Sequence, residues 1–459
     1  MTAPLPSPGV RVRLGKAARK AAPLDAHADL TLRSDRDPVA MLIAGDTARV
    51  PELVPIRYGR MLLTPFTFYR GAAGVMAADL AGTPTSGLRT QTCGDAHLSN
   101  FGIFASAERT LVFDINDFDE TLPGPWEWDV KRLVASLAVA GRHNGYPARQ
   151  RRRVAIAAGA AYRTAMRDFA GRTNLDVWYA QVAIESLVEQ MRTTLAPSQV
   201  KRTQDTLRKA RTRDSMRALG KLSAVVDGRR RITAQPPIVV PVEDLLPEAS
   251  ADELFGQMQE LLTGYRHTLP PERRQLLGQF HLVHMARKVV GVGSVGTRSW
   301  ILLLLGRDDA DPLFLQAKQA QASVLEDYAG ASEFAHHGER VVAGQRTMQA
   351  SGDIFLGTHQ VGGRDFYVRQ LHDWKGSADV EQMRPAGMAA YAQLCGWTLA
   401  RAHARSGDRL AIAAYLGSSD RFEQAVADFA ESYADVTEKD HELLVAATRD
   451  GVVPMRTGI

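Results

Sequence analysis

The sequence predicts an α+β fold in which a mainly helical large lobe accompanies a small antiparallel-sheet lobe. Apolar residues recur at helical spacing in segments between 128 and 222, and helix is predicted again over 384–404 and 420–447. Between these helical regions, from 289 to 371, short apolar runs of strand length alternate with turns. The 459 residues are 45% hydrophobic and 23% charged, which allows a large core and excludes low-complexity disorder over most of the chain. No apolar run approaches the ~20 residues of a membrane span, and no apolar segment follows the early arginines, so neither a membrane partner nor a secretory signal is expected. Two cysteines, Cys93 and Cys395, are too few for a disulfide framework, and no CxxC marks a zinc site; a cytoplasmic protein is expected. Ten lysines stand against 46 arginines within a net charge of only +5. That modest balance makes a nucleic-acid partner an unfavoured expectation, and the basic run over 201–221 reads as a solvated face.

The elements follow in order. Residues 1–37 lack periodicity and read as a flexible basic arm. Residues 57–80 become structured, with Phe66, Phe68 and Tyr69 leading into a short helix. Strands are predicted over 87–93 and 110–114, flanking the loop from Gly94 to Gly102, and an acidic loop over 114–120 follows at once. Pro123, Gly124 and Pro125 punctuate the chain before helices begin near Trp128. The proline-rich stretch 234–247 reads as an extended connector, and helix resumes over 251–265 and 271–286. From 289 the character turns to β, over 289–296, 299–305, 313–318, 340–349 and 366–371.

Four constellations carry chemistry. Asp95 is followed five positions later by Asn100, a spacing used in phosphoryl transfer, where the Asp accepts a hydroxyl proton and the Asn oxygen faces magnesium. Asp114, Asp117 and Asp119 lie a short hairpin further on and offer the hard carboxylate oxygens that Mg²⁺ takes; crowded carboxylates repel unless a cation or hydrogen bonds intervene. The acids also suit a turn that caps backbone amides. Gly291, Gly293, Ser294 and Gly296 belong to a GxGxxG turn followed by a strand rather than a helix, which is the arrangement that covers nucleotide phosphates in kinases. Lys318 ends the next apolar strand, where a lysine grips α/β-phosphates, and Glu326 is the expected acid to orient it. Arg369 opens a hinge-like segment through Lys375, with Leu371 and Trp374 as candidate ring contacts. His97 is expected to hold the loop or touch the phosphoryl group, and Asp129 to cap its helix or brace the loop. Trp126 and Trp128 read as core.

Cys-Gly-Asp95-Ala-His97-Leu-Ser-Asn100 resembles the His-Gly-Asp-x-His-x-x-Asn loop of aminoglycoside phosphotransferases and related small-molecule kinases. Phe118 with its flanking acids resembles their Ile-Asp-Phe segment, and Gly-Pro-Trp-Glu-Trp-Asp129 their Gly-x-x-x-x-Asp. Residues 57–447 are also similar to an uncharacterised bacterial family, the domain of unknown function 2252. The strings RGAA, CGDAHLSNFG, FDINDFDET, PGPWEWD, GVGSVGTR and YVRQLHDWKGS carry that likeness.

The kinase resemblance implies a protein kinase-like bilobal fold with ATP and Mg²⁺ as cofactors. The parts stand in reversed order, with the Asp95 loop and the acidic loop ahead of the glycine turn, Lys318 and the hinge. A circular permutation is therefore expected. The implied layout is an arm over 1–37, catalytic and metal loops with helices over 38–288, a nucleotide-binding sheet over 289–376, and closing helices over 377–459. The expected activity is phosphoryl transfer to a small hydroxylated molecule rather than a protein, with AMP transfer a variant of the same cleft. A regulatory pseudokinase without turnover and a metal-dependent phosphohydrolase are the alternatives.

Overall fold

The computed structural model describes residues 6–184, 201, 204–205, 207–209, 211, 215–246 and 251–458, apart from 290, 372–373 and 375. Within the basic run over 201–221, residues 202–203, 206, 210 and 212–214 lie outside the described residues, as do Asp373 and Lys375. The protein is α+β. Its largest core is a bundle in which the helix Trp126–His143 packs with Ala148–Ala170, Pro385–Ser406 and Arg421–Arg449. Trp126–His143 is buried almost all round, as expected of a helix enclosed by others. Trp126 stacks on Tyr162 with ring centroids 5.3 Å apart, and Trp126 and Trp128 are both core residues. Gly396 leaves no room for a Cβ against the Ala158 backbone, so the helices Pro385–Ser406 and Ala148–Ala170 meet backbone to backbone there.

Residues 8–37 are not the loose arm that their composition suggested. Pro8–Ala21 is a helix lying on the helix Arg409–Leu416, where Arg11 pairs with Asp408 at 2.8 Å and Arg19 donates to the carbonyls of Ala414 and Tyr415. Leu24 and His27 are buried immediately after it. Its scattered arginines have tertiary partners, which charge pattern alone does not reveal.

The six-stranded antiparallel sheet has the spatial order Gly357–Val361, Arg364–Gln370, Pro312–Ala320, Ser299–Leu305, His281–Lys288, Val239–Pro241. Among the expectations that change here, the strand predicted over 289–296 is a turn over 291–297. The helix predicted over 271–286 stops at Leu277, capped by Gly278, and His281–Lys288 pairs with Ser299–Leu305 instead. The strand predicted over 340–349 is the helix His337–Met348, started by His336, whose ring nitrogen accepts from the Glu339 amide. Its buried residues Val341, Gln345 and Met348 stand at helical spacing, with a polar glutamine among them hiding the period.

A smaller sheet carries the loops of interest. Phe101–Ala105 pairs with Leu111–Ile115 on one side and Gly376–Ser377 on the other, and Leu111–Ile115 also pairs with Val182–Ala183. Arg89–Thr92 pairs instead with Leu122–Pro125, so the two strands predicted beside the loop belong to different sheets. The carboxyl end of the helix Pro385–Ser406 abuts Arg89–Thr92, with the Gln91 amide donating to Ser406 Oγ at 3.2 Å. Among the described residues, no helix is long and apolar enough to cross a membrane.

Candidate functional site

The Asp95 loop is held from below by the start of the helix Trp126–His143. Asp129 accepts the amides of Cys93 (2.7 Å) and Gly94 (3.0 Å), with His403 3.2 Å behind it. It braces the loop. Gly94 adopts φ of +79° and packs against the Glu120 carbonyl, where a Cβ has no space. One helical turn after Asp129, Arg132 reaches Asp95 through two nitrogens at 2.7 and 2.8 Å. Burial alone would raise the Asp95 carboxyl, but the charges of Arg132 and Arg70 hold it below its ordinary range. His97 is buried and pushed down to about 3 by loss of solvent, so its ring is neutral; Nδ1 accepts from the Ser99 amide and Nε2 stands 3.7 Å from Asp95. Asn100 Nδ2 donates to the Asp95 carbonyl at 2.7 Å, which leaves Oδ1 as the atom to face a cation.

The acidic loop joins this one directly, through the Asn116 amide bonded to the Asn100 carbonyl at 2.8 Å. Sheet register then brings the distant lysine onto it. Lys318 lies opposite Ser299 on one neighbouring strand and Tyr367 on the other, so all three share a face. From that face Lys318 ion-pairs with Asp119 and stands 3.8 Å from Asp117, while Tyr367 donates to Asp119 at 2.6 Å. Ser294 of the glycine turn lies 3.4 Å from the same Asp119 carboxylate. Burial opposes the Lys318 charge, yet Asp117 and Asp119 outweigh it and raise the ammonium pKa. Burial and the Asp119 charge raise Asp117, whereas Lys318 and Tyr367 outweigh burial at Asp119 and lower it.

The glycine turn is anchored by Arg49, which follows the helix Pro38–Ala44, and by Arg60 of the helix Val54–Met61. Arg49 donates to the carbonyls of Gly293 (2.9 Å) and Val295 (2.5 Å), and Arg60 to that of Gly291 (2.6 Å). Gly291 and Gly296 have φ of +58° and +92°, which L side chains rarely adopt. Within the turn the Val295 amide donates to the Val292 carbonyl at 3.3 Å and the Thr297 amide to the Ser294 carbonyl at 3.2 Å.

Two expected ligands have other employment. Glu326 does not orient Lys318; its carboxylate accepts the amides of Ser323 (2.9 Å) and Ser332 (3.2 Å) and faces Arg340 at 3.9 Å. Lys318–Ala320 finish the strand and Glu326 opens the short helix Glu326–Ala329, so Asp119 supplies the acid instead. Asp114 is buried, ion-paired with Arg401 and bonded to the Ala350 amide at 2.8 Å, so it is removed from the Asp117–Asp119 group. Arg369 donates to the Asn116 carbonyl at 3.0 Å and lines a cavity of about 170 Å³ with Asn116, Phe104, Gln349, Asp353 and Leu371.

Arg132, Tyr367 and Arg340 were not legible as site residues. Arg340, on His337–Met348, donates to the carbonyls of Asp119 (2.8 Å) and Thr121 (2.6 Å) and so shapes the acidic loop. Only Arg132 carried a signal, its three-residue spacing from Asp129.

Among the described residues, no group of three or more His, Cys, Asp or Glu side chains is arranged to hold a metal. The donor set nonetheless fits Mg²⁺, which takes one or two carboxylates and completes its shell with water and substrate phosphates. Asp117 and Asp119 are each partly exposed and already face a cation, Lys318.

No curated protein and no solved structure matches the chain. A family model does match residues 49–447, spanning both loops, the glycine turn and Lys318. The chain belongs to DUF2252, a family described as uncharacterised protein conserved in bacteria.

Proposed function

We propose that the protein is an ATP- and Mg²⁺-dependent phosphotransferase acting on a small hydroxylated acceptor. The observation that carries this reading is Lys318. It pairs with Asp119 under Ser294, bringing the glycine turn, the lysine strand and the acidic loop to one point across 199 positions of sequence. Counting from the strand before the glycine turn, Lys318 lies on the third strand, as the kinase lysine does. In this reading Asp95 accepts the acceptor's proton, Lys318 orients the phosphates under Gly291–Gly296, and Asn100 with Asp117 and Asp119 would hold magnesium. The metal would neutralise phosphate charge; the protein's own part is positioning and fixed charge.

A circularly permuted kinase-like arrangement belongs to the same proposal. The contact between Gln91 and Ser406 supports it. There the helix Pro385–Ser406 ends beside the strand that leads into the Asp95 loop, the junction that an unpermuted chain makes covalently.

One observation favours a second reading, a nucleotide-binding regulator. Arg132 holds Asp95 in its ionised form, and a carboxylate so stabilised is a weak base. The phosphohydrolase reading loses a ligand, because Asp114 is bound to Arg401.

The test is nucleotide-dependent thermal stabilisation and turnover of wild type, Lys318→Ala and Asp117→Ala. ATP with Mg²⁺ is expected to raise the wild-type melting temperature and to raise neither variant's by as much. A wild type unaffected by ATP and Mg²⁺ overturns the reading. Nucleotide binding with no turnover, unchanged in Asp95→Asn, decides for the regulator.

A further inference from the structure

Arg70 lies against the glycine turn through its carbonyl and within electrostatic reach of Asp95, yet its guanidinium makes no direct contact with a counter-charge. Its Nε is buried without a partner, and no hydrogen bond or ion pair ties the side chain to any described residue. The other site arginines are all engaged: Arg132 by Asp95, Arg369 by Asn116, Arg340 by the acidic loop and Arg49 by the glycine turn. Arg70 nonetheless lies within electrostatic reach of Asp95, His97 and Glu381.

Its position is built rather than incidental. The carbonyls on either side of it are both fastened, that of Tyr69 by Arg132 at 2.9 Å and that of Gly71 by Arg57 at 3.0 Å. The arginine that clamps Asp95 thus also sets the backbone beside Arg70. The Arg70 carbonyl touches the tip of the glycine turn, where a Cβ on Gly293 would stand 3.1 Å away. A guanidinium that loses much of its hydration without gaining a partner is costly, and its planar fork matches phosphate oxygens.

From this geometry we infer that Arg70 is a phosphate-binding catalytic residue, contacting the terminal phosphoryl group of a bound nucleoside triphosphate as that group passes from the glycine turn towards Asp95. It is an arginine supplied from within the same chain, in the role that such residues play in stabilising phosphoryl transfer. The inference rests on the phosphotransferase reading and adds a residue for which the motif spacing assigned no role.

Calorimetric titration with ATP and with ADP, both with Mg²⁺, tests it in wild type, Arg70→Ala and Arg70→Lys. Arg70→Ala is expected to lose tenfold or more in ATP affinity while ADP stays within about twofold, and Arg70→Lys to fall between. Melting temperatures without nucleotide provide a second readout. Because Arg70 has no partner to lose, Arg70→Ala should melt at or above the wild-type temperature, and a large drop would mark the residue as structural and overturn the assignment. Equal ATP affinity in wild type and Arg70→Ala overturns the assignment while the nucleotide site stands. A wild type that binds neither nucleotide overturns both.

Discussion

Arg132 grips the Asp95 carboxylate through two nitrogens, at 2.7 and 2.8 Å, and its own side chain is only 3% exposed. The pair therefore serves both the fold and the candidate chemistry, and substitutions on its two sides should separate the two. Asp95→Asn retains a hydrogen-bonding partner for Arg132 and should fold, bind ATP within a few-fold of wild type and lose turnover. Arg132→Met leaves a carboxylate without its counter-charge, a change that costs about 3–5 kcal/mol when the pair is buried. Urea denaturation of the two variants checks this; equal stability losses would contradict the assigned division of roles.

Asp114 provides a contrasting case among the acids. It is 1% exposed and ion-paired with an equally buried Arg401. Asp114→Ala should destabilise by about 3–5 kcal/mol by stranding the arginine charge. Magnesium and nucleotide affinities, measured well below the melting transition, should stay near wild type, whereas Asp117→Ala should lose them. If Asp114→Ala abolishes magnesium binding in a folded protein, Asp114 belongs to the metal group after all.

Stability should fall in mild acid. His27 and His97 are buried, and desolvation lowers each to about 3. Both ordinarily titrate near 6.5, so the unfolded chain takes up protons that the folded one refuses. Their contribution is complete above about pH 6.5 and is lost progressively as pH falls towards 3. The melting temperature of wild type should therefore decline over that window, and His97→Gln should decline less steeply. A parallel decline in the variant would show that His97 is not a contributor.

Local structure was legible wherever a motif was contiguous. The spacing of Asp95 and Asn100, the acids from Asp117 to Asp119, and the glycine turn followed by a strand all stand in the chain as the elements require. Helices with a continuous apolar period, such as Trp126–His143, were also legible. His337–Met348 was not, because buried Gln345 interrupts its apolar face, and neither was the helix Pro8–Ala21, whose arginines are tied to Asp408 and to backbone carbonyls.

By itself the sequence determined the α+β class, the separate motifs and the candidacy of Lys318, since these depend on residue type and short-range periodicity. Only the tertiary structure decided which charges meet. Whether Lys318 faces Glu326 or Asp119, and whether Asp114 faces a cation site or Arg401, depends on sheet register and helix packing. Those pairings join residues some 200 and 287 positions apart, over which side-chain chemistry is constant but direction and distance are set by the folded chain.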